Sequence, residues 1–318
     1  MGLLKEMAMS VDTKVPVVGK GGITATVVAD STHEGNRITT LQLRYPRFIH
    51  SELMTHRMFS RGASSSRAVP INTTIEQVRD DPAMPIHWGK NKAGMQASEQ
   101  IEGTDPADLW YYCANTACEG AVNLQAIGLH KQVVNRVLEP YQFIHVILTA
   151  TEWDNFFALR LHPDAQPEMQ ELAKVIKIAM KQALPNFIPV DGWHLPYISS
   201  DELAGLGFIV DEATLCNVSA ARCARVSYLN HDNSNPNIDK DLELARKLEE
   251  SGHLSPFEHQ ATPMEFPRLT SGVVEEGGKI SFSLDDGTTH IDRNQNAWSG
   301  NFRGFVQYRQ LMFGEYFG

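Results

Sequence analysis

Basic residues are in short supply in this 318-residue chain: 28 Lys and Arg stand against 38 Asp and Glu, a formal net charge of −10. General nucleic-acid binders carry a basic surface, so this balance argues against that class and leaves room only for a local basic pocket. Cysteine is scarce too. The four residues fall as Cys113/Cys118 and Cys216/Cys223, C-x4-C and C-x6-C spacings that match no common zinc pair. None sits beside a plausible base, which argues against thiol catalysis. They read as reduced, small buried thiols of a cytoplasmic protein, and no metal site is expected. No apolar run reaches the roughly 18 residues that a membrane span needs. The opening MGLLKEMAMSVD is no signal peptide, because Lys5 and Glu6 interrupt any apolar core, and Glu6 also breaks the myristoylation pattern. Neither GxGxxG nor GxxxxGK[ST] occurs, which weakens the Rossmann and P-loop readings. HLSPFEH is not HExxH, and its His253 and His259 are too far apart to share a helical face.

What is present reads as a mixture of helices and strands. GITATVVAD, 22–30, and ITTLQLRY, 38–45, predict two strands of a hairpin. Pro46 opens PRFIHSELMTHRMF, where Phe48, Ile49, Leu53 and Met54 fall near helical spacing. Residues 83–105 read as irregular. A long helix is predicted over 106–138, a second helical stretch after Pro140 through FIHVILTATEWDNFFAL, and an amphipathic helix over 165–184 that ends at Pro185. A helix over 239–250, a strand and turn in 280–292 and a last helix in FRGFVQYRQLMF complete the expectation. The fold class is α+β, with long helices packed on a small, mainly antiparallel sheet.

Four stretches could carry chemistry. THRMFSRGASSSR, 55–67, gathers arginine forks and serine hydroxyls that could surround a phosphate or diphosphate. The plainer alternative is a polar loop with serines chosen for turns. In NFFALRLHPDAQPE, 155–168, Arg160 lies in an aromatic run. It needs a partner if buried, either a ligand or a structural carboxylate such as Asp164 or Glu168. SAARCARVSYLN, 219–230, sets Arg222 and Arg225 among small residues, which suits either a ligand or close helix packing. ESGHLSPFEHQATPMEF, 250–266, crowds polar groups around Phe257. That suits a planar ligand or a capped turn.

Together these stretches resemble the flavin-dependent thymidylate synthases. The family signature RHRxxSxNxxSxR is matched by THRMFSRGASSSR, NLRxxxxAQxEI by ALRLHPDAQPEM at 158–169, AARVSF by CARVSY at 223–228, and HGHxTPFEH by SGHLSPFEH at 251–259. The likeness runs roughly over 38–70, 133–175 and 219–267. In the family the last two motifs precede the signature, so this chain resembles a circular permutation of it. Permutation is tolerable where chain ends meet at the surface. The resemblance implies one domain over 1–318, with insertions near 83–105 and 268–300. It implies FAD, NADPH as reductant and methylenetetrahydrofolate as one-carbon donor, acting on C5 of a pyrimidine deoxynucleotide. The first substrate to consider is dUMP, giving dTMP. It implies a homotetramer with sites between subunits, and neither nucleic acid nor membrane as partner. No enzyme cysteine attacks the base in this family, in keeping with the missing nucleophile here.

By position, Arg160 and His253 become the catalytic pair. Glu52, Ser64, Ser65, Ser66, Arg67, Arg136 and Arg160 become the nucleotide set. His56, Arg57, Met58, Ser60, Asn155, Ser227, Ser255 and Glu258 become the flavin set. The chain departs from the family at Thr55, where the signature has Arg, at Gly62, where it has Asn, and at Ala63, where an acidic residue follows. It also has Glu52 in place of Gln. Those departures keep open dCMP methylation, nucleotide hydroxymethylation for modified DNA, and a flavin- or nucleotide-binding homologue without catalysis.

Overall fold

The computed structural model describes residues 15–94, 97–103, 105–206, 210–227, 237–264, 270–274, 280–283 and 287–312. After a two-residue strand β1 (Val17–Val18), the chain forms the expected hairpin from β2 (Thr24–His33) and β3 (Asn36–Pro46). A 3-10 turn at Arg47–Ile49 leads into the single-turn α1 (His50–Leu53) and the short strand β4 (Ser60–Ala63). Helices α2 (Ile71–Asp80), α3 (Asp105–Ala126) and α4 (Lys131–Val134) follow, then a 3-10 turn over Asn135–Tyr141. Strand β5 (Phe143–Ala150) re-enters the sheet and is succeeded by α5 (Asp154–Arg160), α6 (Pro167–Gln182) and β6 (Asn186–Phe187). The sheet order is β1-β2-β3-β5-β4, antiparallel throughout, with β6 parallel to β2 beyond it.

Alternation explains how the sheet is covered. Leu41, Leu43 and Tyr45 of β3 and Ile144, Val146 and Leu148 of β5 point to one face, where Met169, Leu172, Val175 and Ile176 of α6 meet them. Each such aliphatic side chain contributes about 1.5–3 kcal/mol on burial. The opposite residues are buried too: Ile147 packs with Cys223 and Val226, and Thr40 and Thr149 join a polar layer. Helix α6 starts where Pro167 occupies its first turn and the Gln166 side chain accepts from Met169 N–H at 2.8 Å.

The second layer holds α7 (Ser200–Leu206), α8 (Glu212–Ala224) and α9 (Ile238–Glu250). Short strands complete the described chain: β7 (Ala261–Pro263), β8 (Thr270–Val274), β9 (Ile280–Ser283), β10 (His290–Ile291), β11 (Ala297–Ser299), β12 (Phe302–Arg303) and β13 (Phe305–Gln307), then α10 (Tyr308–Leu311). The fold is α+β as expected.

Several expectations are corrected. FIHVILTA is a strand, not a helix. It is β-branched and buried on both faces, and a short continuous apolar run carries no period that separates the two states. The long helix over 106–138 stops at Ala126, and His130 caps a separate turn of helix by accepting from Gln132 N–H. FRGFVQYRQLMF is two strands and a single helical turn. Gly304 adopts φ +73° between the strands, and a Cβ there would lie 2.5 Å from Asn36. The helix opened by Pro46 is also shorter than expected, because Thr55 Oγ1 bonds back to the Glu52 carbonyl at 2.7 Å and turns the chain. Within the expected strand and turn of 280–292, the described residues form two short strands, Ile280–Ser283 and His290–Ile291.

Candidate active site

The Ser/Arg stretch is divided between the two ends of β4. Ser60 lies opposite Thr149 and Ala63 opposite Val146 on β5, so the residues before and after the strand meet different neighbours.

At the leading end, Arg160 on the last turn of α5 reaches α1 and the turn after it. Its Nε donates to His56 Nε2 at 2.8 Å, one terminal nitrogen donates to Thr55 Oγ1 at 3.1 Å, and the other lies 3.7 Å from a Glu52 carboxylate oxygen. Of the structural carboxylates considered for Arg160, Glu168 is engaged elsewhere, accepting from Ile86 N–H at 2.6 Å. His56 is buried against Phe59 and Phe156. Burial, then the charges of Arg160 and Arg61, hold its pKa down at about 4. A neutral ring fits the geometry, since Nε2 must accept from a guanidinium. Arg61 donates to the Met54 carbonyl at 2.8 Å, and burial pulls its pKa below the usual arginine value.

At the trailing end a cleft of about 680 Å³ opens among Arg44, Arg47, Ser64, Ser65, Ser66 and His145. Ser64 Oγ accepts from His145 N–H at 3.1 Å, and Arg47 donates to the Ser64 carbonyl at 3.4 Å. Ser66 is buried and donates to Glu139 at 2.6 Å. Arg47 and Arg136 lie 3.3 and 2.9 Å from the same carboxylate oxygen. Burial lowers the Arg47 pKa, while Glu139 pulls it back up. The buried Nδ1 of His145, in this cleft, has no hydrogen-bond partner among the described residues. Arg67 is exposed, and its backbone N–H donates to Ser65 Oγ at 3.4 Å. Among the described residues, the lining of this cleft includes neither Arg160 nor His56.

The flavin set is dispersed. Arg57, Met58, Asn155 and Ser255 are exposed. Ser60 is buried, donating to Asn301 at 3.0 Å and accepting from Gln307 at 3.0 Å. Glu258 is ion-paired with Arg309, and His253 is exposed with Nδ1 2.9 Å from Ser251 Oγ. The Ser227 side chain lies outside the described residues. The exposed polar side chains of Arg57, Asn155 and Ser255 suit contacts to a bound flavin, whereas Ser60 is committed to the C-terminal strands. Arg222 and Arg225 serve helix packing: Arg222 lies 2.6 Å from Glu202 and 3.0 Å from Asp241, and Arg225 lies 2.7 Å from Asp241. Sequence reading missed Arg47, Glu139, Asn301 and Gln307. The i, i+3 spacing of Arg136 and Glu139 was the one available signal.

Residues 30–186 match the model of the family Thy1, described as thymidylate synthase complementing protein. Among solved structures, a UMP/dUMP methylase PolB from Streptomyces cacaoi, bound with 5-Br dUMP, is similar at 20% identity. The match covers 46% of this chain and 67% of that one, with a TM-score of 0.38. No curated protein matches the sequence.

Proposed function

We propose, from the match of residues 30–186 to the Thy1 family model, that this chain is a thymidylate synthase-like methyltransferase that transfers a one-carbon unit from methylenetetrahydrofolate to C5 of a pyrimidine deoxynucleoside monophosphate, dUMP to dTMP in the first instance. FAD supplies the hydride when bound, with NADPH as its reductant. The observation that carries this reading is the cleft at the end of β4, where Arg47 and the Ser64–Ser66 run offer guanidinium, hydroxyl and backbone donors to one anion.

In this reading the cleft takes the nucleotide phosphate, with Arg67 and Arg136 at its rim. Arg160 faces the pyrimidine carbonyl and stabilises charge that develops on the ring. Its neighbour His56, neutral at pH 7, leaves that cation's full charge for the substrate. Arg57, Met58, Asn155 and Ser255 hold the flavin from the surface, with His253 beside flavin and folate. The separation of the two ends of β4 supports a site completed by a second subunit in a homotetramer, with the single domain and its insertions near 83–105 and 268–300 arranged around it.

One observation favours a second nucleotide. Glu52 places an acceptor-only carboxylate 3.7 Å from Arg160. A base edge that donates, as the cytosine amino group does, would satisfy it better than a uracil carbonyl. That would make the substrate dCMP, with a methyl or hydroxymethyl product. The test is the visible absorption of the purified protein with and without added FAD, followed by product analysis with dUMP and dCMP side by side. A bound-flavin spectrum and folate-dependent turnover of one nucleotide are expected. A protein that takes up no FAD sinks the proposal.

A further inference from the structure

We propose that Glu139 is a resident anion of the cradle, standing where the nucleotide phosphate goes and leaving as it arrives. The inference rests on the reading above that the cleft receives a nucleoside monophosphate. One oxygen of Glu139 collects three donors: Ser66 Oγ at 2.6 Å, Arg136 at 2.9 Å and Arg47 at 3.3 Å. Three convergent donors, two of them guanidinium groups, are what a phosphate oxygen takes. The carboxylate neutralises two neighbouring arginines that would otherwise repel each other.

The serine loop does not depend on that carboxylate for its shape. Asn135, fully buried, donates through one amide nitrogen to the carbonyls of Ser66 at 2.7 Å and Val69 at 3.0 Å. Lys131 Nζ donates to the Ala68 carbonyl at 3.1 Å. These ties hold the loop whether or not Glu139 is present. The Glu139 side chain is 23% exposed, which gives it a path to solvent. Glu139 meets the cleft through its lining residues Arg47 and Ser66, and the carboxylates that line it directly are Glu76 and Asp80 of α2 and Asp81 just after it, the last matched by Arg44. A phosphate seated on Arg47 and Ser66 beside a fixed Glu139 would set like charges a few ångströms apart. Exchange of one anion for the other avoids this.

The experiment titrates the wild-type protein and Glu139→Gln with inorganic phosphate, with dUMP and dCMP, and with the matching nucleosides, by calorimetry at low salt. Glu139→Gln keeps an acceptor for Ser66 and removes the charge. It is expected to tighten phosphate and nucleotide binding by roughly ten-fold and to leave the nucleosides unchanged. Unchanged or weaker phosphate binding in the variant overturns the proposal. Nucleotides that bind both proteins equally well would overturn it while leaving the proposed function intact. Phosphate that binds the variant more tightly while no nucleotide binds either protein would uphold the resident anion and sink the proposed substrate. Should the variant not fold, a crystal of the wild-type protein with phosphate decides. Phosphate on Arg47 with Glu139 turned outward upholds the exchange. Phosphate bound with Glu139 still on Ser66 and Arg136 overturns it.

Discussion

Arg160 is the residue on which the proposed chemistry turns. Its three contacts, to Glu52, Thr55 and His56, hold a half-buried guanidinium in one orientation without neutralising it on a buried carboxylate. Arg160→Ala is expected to retain FAD while kcat falls by roughly 100-fold or more, the usual cost of losing one preorganised donor. Single-turnover assays on the flavin-loaded protein measure this, and unchanged rates would remove Arg160 from its role. Histidine sets the acid limit. His56 at about 4 and His259 at about 3 are both held below the ordinary histidine value by burial first of all. The unfolded chain therefore binds more protons than the fold below pH 6.5. Stability is full above about pH 7 and falls as the pH drops from 6.5 toward 4, by at most about 1.4 kcal/mol per unit for each histidine. Urea midpoints at pH 7.5 and pH 5.5 test this above the carboxylate range. The midpoint at pH 5.5 is expected to be lower, and equal midpoints would contradict it.

At the scale of elements, β4 is the piece from whose two ends the proposed site extends. Gly62 stands where the resembling family has asparagine, and the sheet supplies a reason. A Cβ at Gly62 would lie 2.8 Å from Cγ2 of Ile147 and 3.5 Å from Nε2 of the buried His259. Position 62 lies opposite Ile147 on the covered face, so a side chain there must enter a filled layer. Gly62→Ala is expected to cost about 1–3 kcal/mol, read as a shift in the denaturation midpoint. No shift would mean that Ile147 moves aside freely. The same layer holds a continuous run of buried hydrogen bonds, from Ser31 through His194, Thr40 and Thr149 to His259, with links of 2.7–2.9 Å. It pins the β7 side of the molecule to β3 and β5.

For the molecule as a whole, the proposed function requires the two ends of β4 to serve one reaction. Helix α3 and the turn that follows it leave Leu109, Tyr112 and Ile127 more than half exposed, an apolar surface of the kind subunits cover. A tetramer is expected in solution by sedimentation equilibrium at micromolar concentration. A monomer that turns over nucleotide would place the complete site within one chain.

Much of this protein was legible without coordinates. The hairpin of β2 and β3, helices α6 and α9, and the four motif stretches follow from period, caps and residue type, all of which are local. What was misread was decided by contacts distant in sequence. Strand β5 is extended because β3 and β4 flank it and both of its faces are covered, which no window of eight apolar residues can express. Arg222 and Arg225 looked open to a ligand until α9 and Glu202 supplied their carboxylates. Arg47 and Glu139 are more than 90 positions apart and meet only because β5 brings the turn before it against the end of β3. Sequence determined which elements form and which side chains are available to them. Tertiary structure decided which charges meet, because a charge taken from water must find a partner, and that partner is set by the sheet order rather than by spacing along the chain.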